Sequence, residues 1–339
     1  MMILILAMDA SSALGASSCP ADNHHTFSVY LENDSIAGRD NQYTNGLNLT
    51  WSRYGMKEFP DDMWLHRWFY PAIRLLGFDG PPEAEKALTV SIGQNIYTPN
   101  DLEATELVRD DRPYAGVSYI TLGFHKQQDH RMHTVCLSTG IVGPHAYAEE
   151  LQSFAHDVLS TQEPQGWDNQ LEDELIVNAV YDYKRKLFAR SLGEGMGGDL
   201  IFFTGGGIGN ALTYYDAGLL GRYGWNTPDD FGNFPIQPAV CFNAERVQTG
   251  CENRKKRFGL HLFLSSGVQA VAHDIFLDGN TFRESHSVSK EPLVATCTGG
   301  IGINTGGIKT VLAFVYRTKS FKTQKDPQVY GSVNISFKY

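Results

Sequence analysis

Long apolar runs are missing from this chain of 339 residues. Beyond the N-terminus no run of about eighteen apolar residues occurs, so a transmembrane helix is excluded. Positive charge is also scarce. Lys and Arg number 28 against 38 Asp and Glu, a net charge of −10. Nucleic-acid binding rests on clustered Lys and Arg, and no nucleic-acid partner is expected. An anionic substrate would need a local Arg or Lys, or a bridging cation. The five cysteines include no metal-site spacing. There is no Gly-x-Ser-x-Gly elbow to supply a serine nucleophile and no His-Glu-x-x-His zinc motif. Gly205-Gly206-Gly207 with Gly209 opens no clear helix, which argues against a dinucleotide site. No linker, low-complexity tract or repeat divides the chain.

What is present is aromatic side chains at 12%, 34 glycines, and period-2 alternation that returns every 15 to 30 residues. The C-terminus shows it best. Val329, Gly331, Val333, Ile335, Phe337 and Tyr339 point one way; Gln328, Tyr330, Ser332, Asn334, Ser336 and Lys338 point the other. A lipid-embedded strand with a wet interior alternates in this way. So does a soluble sandwich with its apolar face turned inward. Strands are expected at 26–35, 43–55, 87–97, 113–127, 130–142, 171–190, 197–213, 236–248, 257–271, 289–304, 307–321 and 327–339. Twelve is an even count, as bacterial barrels require. The reading is an all-β protein, a twelve-stranded antiparallel transmembrane barrel, expected as a monomer. Both termini then share one end. The long loops 36–42, 98–112, 143–170, 214–235 and 272–288 share the other. Residues 56–86, on the terminal side, carry Trp64, Trp68, Phe69 and Tyr70 and form either a surface-lying amphipathic piece or a covering loop.

Residues 1–18 read as a signal peptide with the short apolar core Ile3–Ala7, leaving 19–339 as a single barrel domain. Cys241 and Cys251, ten apart around a polar turn, either pair or stay free. Cys136 and Cys297 sit in strand-like runs and read as packing residues.

One helix is expected within 143–170. Gly143-Pro144 precedes HAYAEELQSFAHDVL, with Pro suited to a first turn. Ala148, Leu151, Ala155 and Leu159 recur at three and four and can face the barrel. Gln152 and His156 stack four apart on an adjoining face. His156 is either a general base or a solvated helix histidine. Between the first two strands, parity puts Asp34 and Thr44 on the polar face, while Asn33 has the opposite parity. A carboxylate among amides and carbonyls suits a hard cation such as Ca²⁺; a capped polar loop is the plainer reading. Arg109 and Arg112, beside Asp110 and Asp111, are the best local cations for a substrate phosphate, unless those acids occupy them. Gly166 to Leu171 shapes the return from the helix.

LENDSIAGRDNQYTNGL, IGQNIYTP, DDRPYAG, GIVGPHAYAEELQSFAH and GWDNQL, in that order, resemble the LpxR family of outer-membrane lipid A deacylases. The resemblance covers about residues 26–190 by motif and the rest by barrel pattern. It implies a bacterial outer-membrane enzyme, its site facing the outer leaflet. That enzyme hydrolyses the 3′-acyloxyacyl ester of lipid A, or lipopolysaccharide, with Ca²⁺, a His-activated water and an oxyanion hole. Carried over by motif, the site is Asn33, Asp34, Thr44, Gln152 and His156, with Asp34 toward the metal. The best-known member has a Lys in the third loop, where this chain reads Asn100-Asp101-Leu102-Glu103-Ala104-Thr105. Either Arg109 or Arg112 takes over, or substrate preference differs. The missing Lys keeps open a non-catalytic barrel, a pore or surface binder. The same site could also serve a phospholipid esterase.

Overall fold

The structure, a computed structural model, describes residues 25–34, 42–59, 78, 84–159, 164–238 and 258–339. Twelve strands form one closed antiparallel barrel. They are β1 His25–Asn33, β2 Gln42–Met56, β3 Glu85–Thr98, β4 Ala115–Gln128, β5 Arg131–Val142 and β6 Glu174–Gly193, then β7 Met196–Gly209, β8 Leu212–Trp225, β9 Phe258–Asp274, β10 Leu293–Thr305, β11 Ile308–Arg317 and β12 Gln328–Lys338. Each strand pairs with its sequence neighbours, and β1 closes on β12 with Thr26 opposite Lys338 and Asn33 opposite Gly331. No helix among the described residues is long and apolar enough to cross a membrane.

Alternation decides which face is which. Phe27, Leu31, Ile92, Ile120, Leu262 and Leu264 are exposed on the outer surface. Ser28, Thr50, Ser52, Ser91, Thr121 and Ser138 are buried in the lumen. There Ser28 Oγ donates to Ser336 Oγ at 2.8 Å, across the β1–β12 seam. An exposed apolar belt around a hydrogen-bonded polar interior is the pattern hydrocarbon demands.

Eleven expected strands overlap observed ones. The expected strand 197–213 runs past the end of β7, and β8 occupies part of what reads as loop 214–235. Gly218, Gly221 and Gly224, with Asp216, interrupt the apolar pattern of β8, and the turn joining it to β7 is only Asn210-Ala211. No strand starts at 236: residues 236–238 are irregular, and 239–248 lie outside the described residues. The even count survives, but the long connection 226–257 moves to the terminal end of the barrel. Residues 1–18, Cys241 and Cys251 also lie outside the described residues, as does most of 56–86. From the last of these, Phe59 and Phe78 pack with Met56, Leu88 and Phe124. Cys136, expected as a packing residue, is disulfide-bonded, whereas Cys297 is free.

The first part of the misplaced connection, residues 226–238, climbs inside the barrel as a luminal strap. Asp230 anchors it. Asp230 Oδ2 accepts from Lys309 Nζ at 2.8 Å, and its Oδ1 accepts from Arg222 Nη1 and from Gly232 N. Arg222 also takes Asp199 in a two-pronged pair of 2.9 and 2.6 Å. Two cations and two carboxylates thus neutralise one another away from solvent. Above them Phe231 fills an apolar zone of the lumen lined by Met132, Ile201, Leu220, Phe263 and Val311. Such inward apolar residues break the polar-in rule because a protein segment, not water, lies against them.

Candidate active site

The loop between β5 and β6 is fastened to the outside of the barrel. Pro144–Ala146 forms one 3-10 turn, ended by Tyr147 in the left-handed region at φ 56°. Helix α1 spans Ala148–Leu159, so it begins four residues after Pro144. The wall supplies the fastenings. Gln94 Nε2 and Ser118 Oγ both donate to the Ala146 carbonyl, at 2.6 and 2.8 Å. Gly116 lies under the helix, where an added Cβ would come 2.1 Å from Ala148 Cβ. The missing side chain is what lets the helix settle on β4. Ala148, with Leu151 partly buried, packs with Ile96, Tyr114 and Trp167. The side chains of Ala155, His156 and Leu159 lie outside the described residues.

Beneath and beside α1 runs one cross-strand row. Asn33 pairs with Asn45, Asn45 with Ile96, and Ile96 with Gly116. Strands lie about 4.8 Å apart, so the row spans roughly 14 Å from Asn33 to the floor of the helix. Asn33 shares the outward parity of Leu31. Its Nδ2 donates to the Thr44 carbonyl at 2.8 Å. By strict alternation from Asn48 and Thr50, Thr44 should face the lumen. Instead the register slips between Tyr43 and Asn45, leaving Thr44 as the extra residue of a bulge. Its hydroxyl meets that of Thr98 at 2.8 Å, on the side of Ile96. Tyr43, one residue earlier, stays in the lumen. The expected meeting of Asp34 and Thr44 on the polar inner face is therefore corrected for Thr44, and Asn33, set aside by parity, is its direct partner. Asp34 follows β1 and is buried, 2% exposed.

Gln152 is held in one orientation. Trp167 Nε1 donates to its Oε1 at 3.1 Å, and an indole can only donate. The amide nitrogen is thereby turned the other way, where it is buried with no hydrogen-bond partner among the described residues. Trp167, whose stretch reads from sequence as a return turn, is the residue that sets Gln152. Its ring lies tilted against that of Tyr114, with centroids 5.1 Å apart. Thr98, too, escapes sequence reading, because a hydroxyl at a strand end has no signature of its own.

The two arginines part company. Arg109 is exposed on the β3–β4 loop. Arg112 is buried at 3% exposure, stacked over the Tyr97 ring at 4.3 Å, with Nη1 toward the Gln42 carbonyl at 3.4 Å. Burial pushes its pKa down from the usual guanidinium value. Tyr97 faces the lumen, so Arg112 sits inside the wall, apart from the outer row. Asp111 does not pair with that guanidinium; its carboxylate collects Gln42 Nε2, Asn100 N and Arg112 N and shapes the loop. No group of three or more His, Cys, Asp or Glu able to hold a metal occurs among the described residues. Around Asn33, Asp34 and Thr44 the available donors are all oxygens, with one buried carboxylate. That set suits a hard cation and gives nothing to a soft one.

Three solved structures give the fold a context. LpxR from Salmonella typhimurium superposes with a TM-score of 0.72 at 17% identity, covering 93% of this chain and 100% of that one. The β domain of the Bordetella autotransporter Brka reaches 0.39 at 8% identity over 94% of this chain and 100% of that one. The NanC porin reaches 0.34 at 5% over 93% and 100%. No curated protein sequence matches. The model of the family described as outer membrane protein LpxR matches residues 1–339, end to end, and the chain belongs to that family.

Proposed function

We propose that the chain is a Ca²⁺-dependent lipid A deacylase of the bacterial outer membrane that hydrolyses the 3′-acyloxyacyl ester, its site facing the outer leaflet. The observation that carries this reading is the buried amide nitrogen of Gln152, held unpartnered by Trp167 on the outer wall. A donor preset in this way is what a developing oxyanion needs. In this reading an acyl ester would reach it from the lipid-facing side of the wall.

His156, one turn beyond Gln152 on α1, takes the proton from the attacking water and returns it to the leaving alcohol. Gln152 donates to the carbonyl oxygen as it becomes negative. Asn33 and Thr44 hold the strand ends that present Asp34, and Asp34 holds the cation. Ca²⁺ when bound supplies positive charge to the ester oxygen. Arg109, exposed on the neighbouring loop, is better placed than buried Arg112 to meet a substrate phosphate.

The test is mass spectrometry of lipid A from cells expressing wild type or His156→Ala. Loss of the 3′-acyloxyacyl group with wild type alone is expected. Equal deacylation by both removes His156 from the role. Full activity in EGTA removes Ca²⁺. Diacyl phospholipid assayed alongside separates lipid A from a phospholipid esterase. The strap lying inside the lumen speaks against an open pore, and planar-bilayer conductance by wild type would reinstate it.

A further inference from the structure

We propose that the luminal strap, residues 226–238, is a positioning element for the outer-wall row, acting through Glu32. The proposal rests on the deacylase reading above. At the upper end of the strap Ile236 N donates to Glu32 Oε1 at 2.9 Å. Glu32 is buried in the lumen, and its Oε2 accepts from Tyr43 OH at 3.0 Å. Asn95 Nδ2 in turn donates to that hydroxyl at 2.8 Å. Ser332, opposite Glu32 on β12, adds a further hydrogen bond. One carboxylate thus ties together β1, β2, β12 and the strap, with β3 reached through Asn95.

The residues tied are the immediate neighbours of the candidate site. Glu32 precedes Asn33 and Asp34; Tyr43 precedes Thr44. Along a strand, successive side chains take opposite faces. A clamp closed in the lumen therefore fixes the backbone that aims Asn33 and Thr44 outward. Thr44 most needs it, because a bulged residue has lost its regular ladder partner. Gly46 makes room for the clamp: a Cβ there would come 2.0 Å from Tyr43 OH. The strap is held by several contacts below Ile236. Asp230 fixes its foot, Phe231 its middle, and Asn233 Nδ2 donates to Asn334 Oδ1 at 3.2 Å on the way up.

Glu32→Ala removes both acceptors. Glu32→Gln can still accept from Ile236 N while donating to Tyr43, whose oxygen has a lone pair to offer. Ile236→Pro removes the strap's N–H and leaves Glu32 intact. Purified, Ca²⁺-loaded barrels are assayed on lipid A, with heat-modifiable gel migration reporting closure. The expected result is a kcat at least tenfold lower for Glu32→Ala and Ile236→Pro, KM within twofold, and Glu32→Gln within threefold of wild type. A wild-type kcat in Ile236→Pro overturns the proposal. So does a Gln variant as impaired as Ala. Should Ile236→Pro fail to close, Tyr43→Phe replaces it with the same expectation and the same refutation. If wild type proves inactive on lipid A, the deacylase reading falls and hydrogen exchange decides the clamp alone. Amides of 28–33 and 44–49 exchanging at least tenfold faster in the variant, with β6–β8 unchanged, sustain it; unchanged exchange overturns it.

Discussion

Trp167→Phe isolates one atom of the candidate site. The aromatic ring and its contact with Tyr114 at 5.1 Å are largely kept, and the indole N–H is lost. Gln152 Oε1, 3.1 Å away, then has no donor. A buried acceptor left unsatisfied costs about 1–3 kcal/mol. The amide escapes that cost by turning over or swinging out, and either motion withdraws its nitrogen from the position the proposed oxyanion would occupy. At about 1.4 kcal/mol per factor of ten, kcat should fall roughly 5- to 150-fold. Gln152→Leu, which deletes the donor outright, should cost about 10²–10³ in kcat. The double variant decides between routes. If Trp167 acts only through Gln152, adding Trp167→Phe to Gln152→Leu costs little more. Initial rates of 3′-acyl release, followed by mass spectrometry at saturating lipid A, provide the measurement. A wild-type kcat in Trp167→Phe refutes the claim that the indole sets the amide. A double variant showing the product of both losses refutes the shared route.

Gly116→Ala places a Cβ 2.1 Å from that of Ala148, against an ordinary carbon contact of about 3.5–4.0 Å. The helix must lift by about 1.5 Å, and since about 1 Å of misplacement can cost 10², kcat should fall about 100-fold with the barrel closed; unchanged kcat would show that α1 need not touch β4. Arg222→Leu leaves Asp199 and Asp230 buried without their shared cation, and unfolding in urea should show a loss of about 3–5 kcal/mol, partly restored by adding Asp199→Leu. A loss below about 1 kcal/mol would mean that the strap is not anchored there. Asp278 closes the short helix α2, Ile275–Asp278, and contacts Lys290 at 2.8 Å and His273 at 3.2 Å. Burial alone would raise its pKa, but those partners bring it down to about 2. A depressed carboxylate stabilises above its unfolded value and loses that effect as pH falls through its folded one. The loop 275–292 should thus resist acid-active protease down to about pH 4 and become sensitive between about pH 4 and 2; equal cleavage at pH 5 and pH 2 would contradict this.

The barrel was legible wherever alternation ran unbroken, as along β12. It was lost at β8, where three glycines remove the side chains that would mark the faces. Pro-Ile-Gln-Pro-Ala-Val-Cys-Phe, starting at residue 235, has strand-like composition, and its first part is spent on luminal contacts instead. Within the site, motif order nominates Asn33, Asp34, Thr44 and Gln152, but not their geometry. A period-2 pattern cannot register one inserted residue, so the bulge that turns Thr44 outward is invisible to it. Trp167 and Thr98 act through single hydrogen bonds to residues 15 and 54 positions away, separations that no local pattern encodes.

The seam between β1 and β12 has a consequence for biogenesis. β1, which bears Glu32 and leads into Asn33 and Asp34, is the first strand of the barrel, and its partner on one edge is the last. Until β12 arrives, that edge is an open ladder, and Ser332 is absent from the Glu32 clamp. The candidate site therefore has an unfinished scaffold until the last strand pairs with the first, and completing the barrel completes the clamp behind Asn33 and Asp34.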